Sequence, residues 1–169
     1  AQRSVSPLGL LGNQLSPAMD ANRGKPLVAG IQSLPAGIDN GIAKLVKCEF
    51  GVYDKGDNQG KPFFLAQGII VAPVVHNGEK VQGRFTKIGP EPICETPKAS
   101  EFGRKTVVQH WEWVRNHLRL LGFDTDKLVG TPQQREAGLI AGCKGLIQKT
   151  TYFKFRTWKM DKPLIELDG

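Results

Sequence analysis

The sequence predicts an α+β domain, mainly β, in which three strands precede a helical stretch and further strand follows it. Three observations carry this expectation. Residues 42–89 fall into three runs rich in β-branched and aromatic residues, separated by turn chemistry. Residues 106–122 place apolar side chains at three- and four-residue steps. Residues 150–160 then return to two-residue alternation.

Residues 1–40 read differently from the rest. Pro7, Pro17, Pro26 and Pro35 forbid a long helix, and Gly, Ser and Asn punctuate what lies between. An extended arm or linker is expected. Its Leu8, Leu10, Leu11, Leu15, Leu27, Val28 and Ile31 suit it for docking on its own domain or on a neighbour.

The first strand is expected over 42–53. Lys44, Val46, Cys48, Phe50 and Val52 then share one face, and Ala43, Leu45, Lys47, Glu49 and Tyr53 the other. Asp54–Pro62 is a dense turn signal, and Phe63–Ala72 is the second strand, closed by Pro73. Asn77-Gly78 is the strongest short hairpin signal in the chain, leading into a third strand over Lys80–Gly89. Thr106 and Gln109 form a capping box, followed by the stripe Val107, Trp111, Val114, Leu118 and Leu121, with Gly122 as the stop. A weaker helix is expected over Gln133–Lys149, where Gly138, Gly142 and Gly145 each cost about 1 kcal/mol relative to Ala. Thr150–Met160 forms the fourth strand. Asp161-Lys162-Pro163 turns into a short fifth one, Leu164–Leu167. This is the order of a five-stranded OB-like barrel with a helical insertion between strands three and four, residues 41–169, preceded by the arm, residues 1–40.

At 169 residues with 40% hydrophobic and 23% charged side chains, the chain suffices for one folded domain. No apolar run reaches the roughly 18–20 residues of a membrane helix, so no membrane partner is expected. The first residues lack a basic segment leading into an apolar stretch, so no retained secretory signal is expected either. Cys48, Cys94 and Cys143 are widely spaced and offer no CxxC pair, which suits thiols in a reducing compartment.

Catalytic and metal signatures are missing from the sequence. His110 and His117 lie seven residues apart, roughly 10 Å along one helix, too far to share an ion. No GxSxG or phosphate-loop order occurs. Asp54, Asp57, Asp124 and Asp126 fall in turn-like segments, which explains them more cheaply than a metal-dependent nuclease does. The expectation is a non-enzyme without cofactor or metal.

Charge points elsewhere. The net charge is +7, and residues 144–162 hold six cations against Asp161 alone. Within this stretch Lys154 and Arg156 share a strand face with Tyr152 and Trp158. Cations neutralise phosphates while exposed rings stack on unpaired bases, which favours single strands and reads no particular base. Lys55, Lys61, Arg84 and Lys87, in or beside the first hairpins, would extend the track.

Leu34-Pro35-Ala36-Gly37 before the first strand, the glycine-rich turn Lys55–Lys61, Gly83-Arg84, the helix end Leu118–Gly122 and the block FKFRTW at 153–158 together resemble a poorly characterised bacteriophage family. That family is taken to be single-stranded DNA-binding proteins of OB type, and the likeness covers residues 34–160. It implies a protein that coats single-stranded DNA in phage replication or recombination, in the bacterial host cytoplasm; stacking chemistry leaves RNA open as a second ligand. Many such binders carry a long acidic tail, whereas Ile165–Gly169 hold only Glu166 and Asp168. The alternative is a self-assembling virion or filament subunit, a homo-oligomer formed through residues 1–40.

Overall fold

The computed structural model describes residues 6–26, 38–97 and 103–156. Its architecture is α+β. Four strands form one antiparallel sheet: β1 (Gly41–Val52), β2 (Pro62–Ala72), β5 (Phe85–Pro92) and β6 (Tyr152–Phe155), in the order β5-β2-β1-β6. A two-residue ladder pairs β3 (Val75–His76) with β4 (Glu79–Lys80). Three helices, α1 (Leu15–Asn22), α2 (Val107–Leu120) and α3 (Pro132–Gln148), complete the fold. The expected fifth strand, Leu164–Leu167, and Trp158 lie outside the described residues.

Irregularities in register occur at Ile42/Ala43, Leu45/Lys47 and Phe64/Ala66. Each such bulge bends its strand and increases the twist. The sheet is accordingly curled into an antiparallel half-barrel. Its concave side meets α2 and α3 across one core containing Leu45, Phe64, Ile70, Ile88, Trp111, Val114, Leu118 and Leu139.

The bulge in β1 overturns the expected alternation. Leu45 faces Gly68 and the next registered residue, Lys47, faces Gln67, so Val46 is the extra residue. Beyond it the parity switches. Ala43, Leu45 and Cys48 are buried, and Lys44, Lys47 and Glu49 emerge together on the opposite side. The third long strand also begins later than expected, at Phe85. A turn closed by Arg84 N–H donating to Val81 O at 3.1 Å, with Gly83 at φ 87°, interrupts the run after β4. The Asn77-Gly78 signal holds: both residues take positive φ, 51° and 81°, as a type I′ hairpin turn requires.

Residues 1–40 are not an extended arm throughout. Leu8–Gln14 wind in 3-10 turns kinked at Gly12, and α1 follows directly. Pro17 sits in the first turn of α1, where its missing N–H would have had no intrahelical acceptor. The prolines therefore limit helix length without preventing a two-turn helix. Leu8, Leu11, Leu15, Ala18 and Met19 are buried in the chain's own core, against α2 and α3. Asn22 Nδ2 donates to Val108 O at 3.0 Å, and Gly24 N–H donates to Asp126 at 2.9 Å. These side chains are spent inside the domain, which removes them as the apolar surface for docking on a neighbour.

The predicted helices form, α2 with its predicted cap and α3 with one that was not expected. Thr106 and Gln109 cap α2 reciprocally, and Thr131 and Gln134 do the same for α3 with Pro132 at its first position. Val107, Trp111, Val114, Leu118 and Leu121 are all buried. Two of the three α3 glycines mark close approach: a Cβ on Gly138 would meet Leu128 at 2.6 Å, and one on Gly142 would strike the Phe123 ring, while Gly145 faces open space.

Candidate nucleic-acid interface

The four residues of β6 are fixed by what lies beneath them. Phe153 and Phe155 are 8% and 5% exposed. The Phe153 ring occupies the space a Cβ on Gly68 would need, at 2.8 Å, and the Phe155 ring does the same at Gly41. Because successive strand side chains alternate, burying these two rings forces Tyr152, Lys154 and Arg156 outward. Tyr152 is 56% exposed, and Lys154 and Arg156 are exposed beside it. Trp158, the other expected stacking ring, lies outside the described residues.

Register places Tyr152 in a row across the whole sheet. Tyr152 pairs with Lys44, Lys44 with Ile69, and Ile69 with Phe85. Phe85 is 57% exposed. The row thus has an open ring at each edge and an ammonium between them, with the rings about 14 Å apart along three strand spacings. In a neighbouring row Lys47 pairs with Gln67 and Gln67 with Lys87. On the other side Lys154 pairs with Ile42. Four lysines, Lys44, Lys47, Lys87 and Lys154, therefore stand on the sheet face turned away from the helices. Glu49, in the next row opposite Leu65, brings its carboxylate to 3.4 Å from the Lys47 ammonium.

The predicted residues divide accordingly. Tyr152, Lys154 and Lys87 come together on this face, and Arg156 continues it past the end of β6. Arg84 sits at the short hairpin, paired with Glu79 at 3.7 Å. Lys55 lies in the exposed turn beyond β1, and Lys61 is half-buried with Nζ donating to Glu95 O at 3.3 Å. That turn starts nine residues after Lys44, up to roughly 30 Å along the strand, so Lys55 and Lys61 do not join the face. Lys44, Lys47 and Phe85 were missed as site residues. For the lysines strict two-residue alternation puts Lys44 and Lys47 on opposite faces, and only the bulge seen in the pairing with β2 brings them together. For Phe85 no pattern sufficed, since Phe85 and Ile88 are apolar on opposite faces.

The buried ionisable groups elsewhere tie elements together. Glu91 accepts from Arg104 Nε at 2.5 Å and from His110 Nδ1 at 2.8 Å, joining β5 to α2, while the Arg104 guanidinium lies 5.7 Å from the Trp113 ring centre. Tyr53 is pushed up to about 12 by burial and by the nearby Glu91 charge. Arg115 grips Asp126 with two hydrogen bonds of 2.9 and 2.8 Å. That grip holds the Asp126 carboxyl below its ordinary range and raises Arg115. His117 donates from Nδ1 to Trp113 O at 2.8 Å, and burial keeps its imidazole below the ordinary value. Among the described residues no group of three or more His, Cys, Asp and Glu side chains gathers to hold a metal ion, and no helix is long and apolar enough to cross a membrane.

Comparison of the chain with protein-family models, with characterised proteins and with solved structures returns no match.

Proposed function

We propose that the open sheet face binds single-stranded nucleic acid, DNA in the first instance, without catalysing a reaction on it. The observation that carries this is the row Tyr152–Lys44–Ile69–Phe85, which alternates exposed rings with a cation on a rigid backbone ladder. Rings of this kind accept the faces of unstacked bases, and the flanking Lys47, Lys87 and Lys154 supply phosphate contacts. A duplex hides its base faces, so single strands are preferred. The face presents few fixed donors or acceptors at base height, so sequence preference is loose.

The strand order and the helices lying between β5 and β6 agree with four strands of an OB-type barrel, a fold that carries oligonucleotides on its sheet. Together with the resemblance of residues 34–160 to phage single-strand binders, this favours a protein that coats DNA during phage replication or recombination in the host cytoplasm. The deciding experiment is an anisotropy titration of labelled oligothymidylate against a duplex of equal length at two salt concentrations. Tighter binding of the single strand, weakening as salt rises, is expected. Equal affinity for both forms would reduce the face to a generally basic surface.

A further inference from the structure

β5 and β6 are the two edge strands of the sheet, yet Ile88 of β5 and Phe153 and Phe155 of β6 line the same cleft. The curl of the sheet brings its edges to one cavity of about 710 Å³, bordered by Leu120 and Leu121 at the end of α2. That volume lies within the roughly 300–1,000 Å³ of small-ligand sites.

The cleft has two unlike ends. Alternation along β6 turns Phe153 and Phe155 towards the core and Lys154 and Arg156 to the other side, and all four line the cleft. It therefore runs over the outer edge of β6, from an apolar inner part to a cationic mouth. Inside, Ile88, Leu121, Phe153 and Phe155 offer no hydrogen-bonding side chain. His117 adds none, because its Nδ1 is bonded to the Trp113 carbonyl and its Nε2 is sealed from solvent. At the mouth Lys154 and Arg156 outnumber one carboxylate, Asp39. Both cations are exposed, and no carboxylate among the described residues forms an ion pair with either.

We propose that this cleft binds an anionic amphiphile of the medium-chain carboxylate class. The apolar tail lies against Ile88, Leu121, Phe153 and Phe155, and the carboxylate meets Lys154 and Arg156. Burial of the tail supplies affinity, while the two cations select charge and fix direction. A wholly polar anion has nothing to bury, and a neutral chain forgoes the cations. The assignment stands apart from nucleic-acid binding, since the apolar inner part lies on the opposite side of β6 from the open sheet face.

The test uses the full chain with decanoate, and with decanol of equal chain length, both below the concentrations at which they aggregate. Decanoate should bind at one equivalent in calorimetry and shift the methyl resonances of Ile88 and Leu121. Those of Val107, fourteen residues from Leu121 and roughly 20 Å away along α2, should stay in place. Decanol should bind about tenfold more weakly. The double variant Lys154→Gln, Arg156→Gln should weaken decanoate about tenfold and leave decanol unchanged, each exposed ion pair contributing only part of that loss. Leu120→Trp, at an exposed position of the mouth, should weaken both ligands by crowding it. Ile88 and Leu121 methyl resonances that stay fixed throughout the decanoate titration would overturn the site; a cleft already filled by the chain's own residues 157–169 would give that result. Equal affinity for decanoate and decanol would overturn the choice of an anionic ligand.

Discussion

Lys44 and Tyr152 are direct cross-strand partners on the sheet face turned away from the helices. A cation and an exposed ring thus share one row although 108 positions separate them in the chain. Phe85 closes the same row at the far edge. Removing either ring takes away a stacking platform without touching the core. Tyr152→Ala and Phe85→Ala should each weaken oligothymidylate binding by about 1–3 kcal/mol, and Tyr152→Phe should be close to neutral. Anisotropy titrations of the three variants check this; unchanged affinity in both alanine variants would remove the stacking platform.

Four lysines on the face give an electrostatic expectation as well. If each neutralises one phosphate, log K should fall with log salt at a slope of roughly −3 for a single strand. Lys44→Ala and Lys87→Ala should each reduce that slope by about 0.7, while Lys55→Ala, in the distant turn, should leave it nearly unchanged. Affinities measured across a series of salt concentrations supply the slopes.

The N-terminal segment is expected to act on stability rather than on assembly. Leu15 is buried in the core beside α2 and α3. Leu15→Ala should cost about 2–5 kcal/mol, read from urea unfolding. Deleting residues 1–26 should lower the unfolding midpoint more strongly still. A shortened chain of undiminished stability would contradict the packing of α1.

Two groups set the acid limb of stability. The His117 imidazole lies below 6.5 in the folded chain, so the unfolded chain takes up its proton first as pH falls. Stability is complete above 6.5 and is lost as pH drops from there towards the folded value. Asp126 lies below 3.8 because Arg115 bonds its charged form. Its contribution is present above 3.8 and disappears as pH falls further towards the folded value. Urea midpoints from about pH 7 to pH 5 should therefore decline, and His117→Phe should flatten that decline.

The thiols should be inert in the folded protein. Cys48 is raised by its hydrogen bond with Cys143 and by burial, and Cys94 is raised chiefly by burial. Iodoacetamide at neutral pH should label neither in the native chain and both in urea, as mass spectrometry can record.

Much of this architecture was legible in the residues alone. Period-two runs placed β1 and β2 within a residue of their ends, a capping box placed α2, and apolar spacing placed α3, because these signals depend on groups only a few residues apart. The outward set Tyr152, Lys154 and Arg156 was legible for the same reason: Phe153 and Phe155 alternate with it. The helix at residues 15–22 was not, since Pro17 reads as a breaker until its place in the first turn is known.

The sequence by itself determined which segments become strands and helices, and that cations and rings share the surface of β6. Only the tertiary structure decided that Lys44, Lys47 and Phe85 join them, and that both sheet edges border the cleft holding His117. The physical reason is that a bulge is settled by pairing with a partner strand. One extra residue at Val46 reverses every side chain beyond it, and no local propensity records that choice.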